Sequence, residues 1–280
     1  MAIDTHCHLD ASEFDADRGS VIANAQAAGV RAIVIPAIAR SNFDTVRDLA
    51  HSFPEGYYAL GIHPLFVRQS VEADLAHLRD ALAASMADPR LVAIGEIGLD
   101  FFVKDIASGE ARERQEFFYV EQLKLALEFD LPVLLHVRRS QDILLKYLRR
   151  LKRSPGGIAH AFNGSDQQAR AFLDLGFALG IGGAMTFTRA LQIRRHASDV
   201  SLDSLVLETD SPDIPPAWLQ APDLRNSPAQ IPRIGASLAE LRGEATAAVI
   251  DATTATACRV LPRLGQALSG IASAALDQNS

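Results

Sequence analysis

Short apolar runs alternate with longer amphipathic segments along the whole chain, and this alternation limits the fold more than any other feature of the sequence. Such alternation is typical of βα units that build a parallel sheet. Eight runs are predicted as strands, at residues 2–5, 31–35, 57–62, 91–95, 132–136, 157–160, 177–181 and 205–208. Runs that are apolar throughout indicate burial on both faces. Eight units of about 35 residues each favour a (β/α)8 TIM barrel of the α/β class over a doubly wound sheet.

Amphipathic stretches between the apolar runs are predicted as helices, and residues 110–130 form the longest of them. No linker rich in proline, glycine and serine divides the chain. We therefore predict one domain over residues 1–264 and a C-terminal tail over residues 265–280 that frays. The proline-rich stretch at 211–232 follows the eighth run and is predicted to be a long loop on the face that carries function.

Composition and charge exclude several classes of protein. Hydrophobic residues make up 48% of the chain, which argues against global disorder. The two cysteines, Cys7 and Cys258, are too few and too far apart for a disulfide scaffold. Neither a signal peptide nor a membrane span is expected, so we predict a cytoplasmic protein with no membrane contact. The net charge of -7 disfavours nucleic-acid binding over the whole surface. A local basic rim around an acidic metal pocket is the alternative that the charge leaves open.

Histidines and carboxylates gather at the predicted strand ends. His6 and His8 follow the first strand, and residues i and i+2 of an extended segment point to the same side, so both imidazoles can reach one metal ion. The alternative is a polar turn. Further polar residues close later strands: His63, Glu96, Asp100, His136, His160, Glu208 and Asp210. Barrel enzymes carry their active sites at this rim. Buried acids and imidazoles are unfavourable unless paired or coordinated, so the pattern predicts a metal site.

Five ordered motifs carry a resemblance to a known family. They are His-x-His at 6–8, Gly-Glu-Ile-Gly-Leu-Asp at 95–100, Leu-His-x-Arg at 135–138, His-Ala-Phe-x-Gly at 160–164 and Glu-Thr-Asp-Ser-Pro at 208–212. This order resembles the TatD family of metal-dependent hydrolases, or TatD-type deoxyribonucleases, which are amidohydrolase-like barrels. The resemblance runs from Ile3 to about Leu261. Residues 208–215 and 180–183 look closest to the YjjV branch.

The resemblance implies two divalent metal ions per subunit, Zn, Mg or Mn. His6, His8 and Asp210 would hold one ion. His136 and His160 would complete the second. Glu96 would bridge the two.

The resemblance and the strand ends also suggest roles in catalysis. Asp210 is the expected general base, with Glu96 and His63 as further catalytic groups. His63 is expected to bind a phosphate oxygen or assist the leaving group, and the alternative is a structural hydrogen bond. Arg138 is expected to bind a substrate phosphate, and the alternative is a surface salt bridge. Glu208 is expected to orient a ligand histidine or a loop backbone.

The predicted function is a phosphodiesterase or deoxyribonuclease that acts on DNA through hydroxide activated by two metals. The alternative is a hydrolase of a small-molecule amide, lactone or phosphoester, because this kind of site serves many chemistries. A non-enzymatic metal-binding protein is disfavoured, and no stable protein partner is predicted. One departure from the family lies at 225–228, where Arg-Asn-Ser-Pro replaces an Arg-Asn-Glu-Pro-like segment and a loop contact is in doubt.

Overall fold

The computed structural model describes residues 1–277, with side chains up to residue 270. Its eight strands are β1 (Ala2–Asp4), β2 (Val30–Pro36), β3 (Gly56–Leu60), β4 (Leu91–Asp100), β5 (Val133–Arg138), β6 (Gly157–Ala159), β7 (Phe177–Ile181) and β8 (Leu205–Leu207). All neighbours pair in parallel, in the order β1 to β8. Each of the eight predicted strands is present.

The first and last strands meet and close the sheet. Thr5 N–H donates to the Leu207 carbonyl at 3.1 Å, and Asp210 N–H donates to the His6 carbonyl at 2.8 Å. His8 N–H continues this ladder to the Ser211 carbonyl at 2.8 Å. The fold class predicted from the sequence, a (β/α)8 barrel, is therefore confirmed. The same hydrogen bonds join the His6–His8 segment to the segment that carries Asp210.

The helices are α1 (Arg18–Ala27), α2 (Phe43–His51), α3 (Ala73–Ser85), α4 (Gly109–Glu128), α5 (Gln141–Leu148), α6 (Asp166–Asp174), α7 (Leu191–Asp199), α8 (Ile231–Arg242), α9 (Thr246–Val260) and α10 (Pro262–Asp277). Between β8 and α8 the chain forms the expected long loop, apart from a short 3-10 turn. Among the described residues, no helix is both long enough and apolar enough to cross a membrane.

The chain continues beyond residue 264 as helix α10, and the start of this helix is anchored to the N-terminal end of the barrel. Arg263 donates to the carbonyls of Asp88 and Leu91, both at 2.6 Å, at the start of β4. Leu261 and Leu264 are fully buried against the apolar interior. The helix thus covers the barrel end opposite the predicted site. Residues 278–280 of the predicted tail lie outside the described residues, and the domain limit at 264 stays a prediction.

The barrel interior places the strand-end histidines above an apolar layer. Leu134 and Ile158 belong to the inner core cluster, and each lies two residues before a histidine, His136 or His160. Alternate residues of a strand share a face, so both histidines point towards the barrel axis above this layer. The apolar floor keeps water away from the groups above it and strengthens their mutual interactions.

Candidate metal centre

The predicted site residues come together at the C-terminal ends of the strands. They face a cleft of ≈ 1230 Å³ whose lining includes His8, His63, Glu96, His136, Arg138, His160 and Asp210. His6 is fully buried directly behind His8, and its Nε2 lies 3.4 Å from the Nε2 of that residue. The cleft therefore opens onto a cluster of imidazoles and carboxylates held by strands from the whole circumference.

Four ligand atoms converge on the β1 side of this cluster. Nε2 of His6 lies 3.1 Å from Glu96 Oε2 and 3.8 Å from Asp210 Oδ1. Nε2 of His8 lies 3.4 Å and 3.6 Å from the same two oxygens. Ligands about 2.0–2.1 Å from a tetrahedral zinc ion are separated by about 3.4 Å. The spacing of these four atoms therefore suits one divalent cation.

The two carboxylate oxygens of Glu96 face different histidines. Oε2 faces His6 and His8, whereas Oε1 lies 2.8 Å from Nδ1 of His136. Glu96 lies within β4 rather than after it, because pairing with β5 continues as far as Asp100 and Arg138. Only 1% of the residue is exposed. The buried strand thus fixes the carboxylate between two groups of nitrogen ligands.

Asp100 orients His136. Its Oδ2 lies 3.1 Å from Nε2 of His136, and its Oδ1 accepts the N–H groups of Phe102 and Val103 at 2.8 and 3.0 Å. Burial alone raises the pKa of Asp100, but the hydrogen bonds from His136 and the loop lower it to about 2. The ionised carboxylate favours a proton on Nε2 of His136, which leaves Nδ1 free to bind a cation. The sequence pattern placed Asp100 at the rim without indicating this role.

His63 has a hydrogen-bonding pattern that differs from that of a metal ligand. Its Nδ1 accepts the Leu65 N–H at 3.2 Å, and its Nε2 lies 3.0 Å from Nδ1 of His136 and 3.4 Å from Glu96 Oε1. Burial lowers the pKa of His63 to about 4, so the ring is neutral. A neutral ring that accepts at Nδ1 carries its proton on Nε2. His63 therefore presents an N–H donor to the centre, although its ring nitrogen lies among potential ligand atoms.

His160 lies on the β1 side of the centre. Its ring stacks on His6 with centroids 3.8 Å apart, and its Nε2 lies 3.5 Å from Asp210 Oδ1. Its Nδ1 lies 3.0 Å from Glu208 Oε1, without good hydrogen-bond alignment. Among the described residues, no group of three close ligand atoms contains both His136 and His160. The expected sharing of one ion by these two residues stays a prediction.

The electrostatics of the cluster suit bound cations. Burial alone raises the pKa of Asp210, but His160 and the other imidazoles lower it to about 2. Burial alone lowers the pKa of His8, but Glu96 and the nearby carboxylates raise it to about 9. Protons on imidazoles thus balance the buried carboxylates. The buried Nδ1 of His6 has no hydrogen-bond partner. A mixed set of imidazole and carboxylate donors of this kind fits divalent zinc, manganese or magnesium.

Two buried residues that the sequence pattern did not single out hold Asp210 in place. Asp4 accepts the N–H of His6 at 3.2 Å, and the N–H and hydroxyl of Thr209 at 3.0 and 2.6 Å. Asn226 donates to the carbonyls of Thr209 and Asp213 at 2.8 and 3.0 Å. Asn226 belongs to the segment at 225–228 that partly matches a family motif. That partial match was the sequence signal that could have identified Asn226. Neighbouring Ser227 contributes a backbone N–H to the Asn226 side chain at 2.9 Å.

Arg138 lies at the mouth of the cleft with its guanidinium over the Phe102 ring, 4.0 Å from the centroid. Its Nη1 is 3.8 Å from Asp100 Oδ2, and about half of its side chain is exposed. The structure thus brings Arg138 near the cluster but not into it. A stacked, exposed guanidinium retains donors for a ligand in the cleft.

A parallel barrel with imidazoles and carboxylates at the C-terminal ends of its strands has the architecture of a metal-dependent hydrolase. A family model described as "TatD related DNase" matches residues 3–262. The chain belongs to the TatD family of metal-dependent hydrolases.

Relatives and a solved structure agree with this membership. The chain is 42% identical over 86% of its length to the "uncharacterized metal-dependent hydrolase YjjV" of Escherichia coli K12, and the match covers 90% of that protein. The crystal structure of YjjV aligns with a TM-score of 0.85 and 40% identity, covering 93% of this chain and 98% of that one. A further relative, 32% identical over 92% of this chain and 97% of its own length, is the "3'-5' ssDNA/RNA exonuclease TatD" of Escherichia fergusonii.

Proposed function

We propose that this protein hydrolyses phosphodiester bonds at the ends of single-stranded nucleic acids, with two divalent cations at the centre. The observation that carries the proposal is the division of the Glu96 carboxylate between His6 and His8 on one side and His136 on the other. Sites for two cations about 3.5–4 Å apart occur in nucleases and phosphatases, as well as in aminopeptidases, and they suit in-line displacement at phosphorus. The name of the 32% identical exonuclease relative supports a nucleic-acid substrate.

Six residues would hold the cations. His6, His8 and Asp210 would bind the first, and the convergence of their ligand atoms with Glu96 Oε2 supports this set. His136 and His160, with Glu96 Oε1, would bind the second. When bound, two such ions lower the pKa of water and stabilise negative charge on the phosphoryl oxygens.

The side chains around the ligands would complete the chemistry. Asp210 is ionised and lines the cleft, so it would accept the proton of the attacking water. His63 would donate a hydrogen bond from its Nε2–H to a phosphoryl oxygen or to the leaving oxygen. Arg138 would contact a phosphate beyond the scissile bond, because its guanidinium faces the same cleft.

The test uses a 5'-labelled single-stranded oligonucleotide with Mg²⁺, Mn²⁺ or Zn²⁺. Wild type should shorten it from one end, and Asp210→Asn should abolish the reaction while retaining the fold. Asp251→Asn, which alters an exposed carboxylate on α9, is the matched control and should behave as wild type. Elemental analysis should find about two divalent ions per chain. Activity that is insensitive to EDTA would contradict the metal centre.

A second candidate function is hydrolysis of a small-molecule ester, amide or lactone. The observation in its favour is charge, because Asp10, Glu13 and Asp213 line the cleft and the whole chain carries -7. Both features disfavour the binding of a long polyanion such as a nucleic acid. Wild-type protein that leaves DNA and RNA intact, yet cleaves a small ester in a reaction lost in Asp210→Asn, would favour this candidate.

A further inference from the structure

We propose that Phe102 is the stacking platform for the nucleobase beside the hydrolysed phosphodiester, and that the strand leaves the centre over the β4–β5 rim. This inference deepens the proposed function and depends on it. Phe102 follows β4 and lines the cleft, and 45% of the residue is exposed. An exposed ring that faces a ligand cleft can gain free energy when a flat apolar ligand covers it. Nucleobases present flat faces that stack on such rings.

Two guanidinium groups lie over the Phe102 ring, and the residue remains 45% exposed beside them. Those of Arg138 and Arg139 lie 4.0 and 4.7 Å from the centroid of Phe102. Both arginines line the cleft. Guanidinium planes also stack on bases, and they neutralise the phosphates that connect them. The three residues together therefore offer one stacking surface and two positive charges to the same segment of a strand.

The Asp100 side chain connects the backbone of the platform to the candidate metal centre. Asp100 accepts the Phe102 N–H at 2.8 Å through Oδ1, while its Oδ2 lies 3.1 Å from Nε2 of His136. The buried carboxylate that contacts His136 therefore also holds the backbone of Phe102. A fixed distance is what a platform needs if it is to place one particular phosphate over the centre.

Charge gives the direction in which the strand leaves. Asp10 and Asp213 line the cleft from the segments that follow β1 and β8. These two strands lie half a turn around the barrel from β4 and β5, where Arg138 and Arg139 are found. Phosphates are repelled from the acidic rim and attracted to the basic one. A strand with phosphates on only one side of the centre is bound at its end.

The experiment compares Phe102→Leu with Phe102→Tyr on two oligonucleotides, one normal and one with abasic terminal nucleotides. We expect Phe102→Leu to raise KM for the normal oligonucleotide about tenfold, which corresponds to ~1.4 kcal/mol and lies within the usual range for base–aromatic stacking. The tyrosine variant retains the ring and should match wild type. On the abasic oligonucleotide, wild type and Phe102→Leu should be equal. The control Phe117→Leu removes a ring of similar exposure, 40%, on α4 outside the cleft lining.

A binding measurement separates failure of this inference from failure of the proposed function. A terminal 2-aminopurine loses fluorescence when it stacks, and EDTA prevents turnover. Wild type should quench it and Phe102→Leu should not. If wild type degrades DNA but Phe102→Leu has an unchanged KM, or loses activity equally on both oligonucleotides, the platform is wrong and the nuclease stands. If wild type cleaves no oligonucleotide, the proposed function fails, and absence of quenching then overturns the platform as well.

Arg138→Gln tests the direction of the strand. Each phosphate neutralised on a single strand contributes about 0.7 to the slope of log affinity against log salt. We expect Arg138→Gln to reduce the slope by about this amount. Arg150→Gln, at an exposed position two residues after α5 and outside the cleft lining, should not change the slope. Equal slopes for Arg138→Gln and wild type would overturn the proposed exit over the β4–β5 rim.

Discussion

Glu208 Oε1 lies 3.0 Å from Nδ1 of His160 and also accepts the N–H of Ala161 at 2.6 Å. One buried carboxylate thus lies against the ring of His160 and holds the backbone of Ala161 at the end of β6. With Nδ1 turned towards Glu208, the Nε2 of His160 faces Asp210 and the centre. The sequence pattern leaves open whether Glu208 orients a ligand histidine or a loop backbone, and the structure places it beside both.

Glu208→Gln should weaken metal binding and activity 10–100-fold with little change in fold, which is the usual effect of removing a carboxylate partner of a ligand histidine. Gly180→Ala should have a similar effect, because a Cβ there would lie 2.1 Å from Glu208 Oε2. Gly270→Ala, with nothing within 4 Å, is the control. Metal affinity can be measured by competition with a chromophoric chelator. Wild-type affinity in both Glu208→Gln and Gly180→Ala would contradict the positioning role.

Metal binding should release protons at neutral pH. The pKa of His8 is raised to about 9, with burial opposed by Glu96 and other carboxylates, so its ring is protonated before a cation binds. A ligand imidazole must lose that proton. Apparent affinity should therefore rise with pH by up to tenfold per unit for each proton displaced, and level off above about pH 9. Calorimetry in buffers of different ionisation enthalpy counts the protons. An affinity that is constant between pH 6 and 9 would contradict this prediction.

Asn226→Ala should loosen the loop after β8. The buried amide donates to the carbonyls of Thr209, Asp213 and Ile214. Removal of a buried partner costs about 1–3 kcal/mol, so we expect the free energy of unfolding to fall by about 2 kcal/mol. Activity should also fall, because Asp210 belongs to the same loop. Urea unfolding measures the free energy of unfolding, and limited proteolysis measures how readily the loop opens. Asn24→Ala, on the exposed face of α1, should leave both unchanged.

Asp88→Asn should destabilise the protein at pH 7 but not in acid. Asp88 accepts from Tyr58 Oη at 2.9 Å and Arg90 N–H at 3.0 Å, and it lies 2.7 Å from Nε2 of His51. Burial alone raises the pKa of Asp88, but these partners lower it below 3.8. A depressed carboxyl pKa adds stability above the unfolded value of about 3.9, and this stability is lost as pH falls through the folded value.

We therefore expect Asp88→Asn to lose about 1 kcal/mol at pH 7, measured by urea unfolding. The difference from wild type should shrink below about pH 4, where the unfolded carboxyl becomes protonated. Asp80→Asn, an exposed carboxylate on α3, should match wild type at both pH values. An equal destabilisation by Asp88→Asn at pH 7 and pH 3 would show that the charge of Asp88 is not responsible.

The barrel and the location of the site follow from the amino-acid sequence alone. Eight apolar runs at regular spacing require burial on both faces, and only parallel strands covered by helices satisfy that requirement. Histidines and acids directly after those runs must then meet at one rim, because parallel strands all end on the same side. For this reason the sequence pattern predicts that His6, Glu96, His136, His160 and Asp210 lie together, and the structure brings these residues to one rim.

Which atom of each side chain faces the centre depends on the tertiary structure. Asp100 contacts Nε2 of His136 from 36 residues away along the chain, and Glu208 contacts Nδ1 of His160 from 48 residues away. The Leu65 N–H, two residues from His63, is the only local partner among these three. Periodicity determines which face of a strand a residue occupies. It carries no information on contacts between distant segments, which also fix the Phe102–Arg138 stack and the packing of α10. Those contacts depend on how the elements pack in three dimensions, and only the folded chain brings them together.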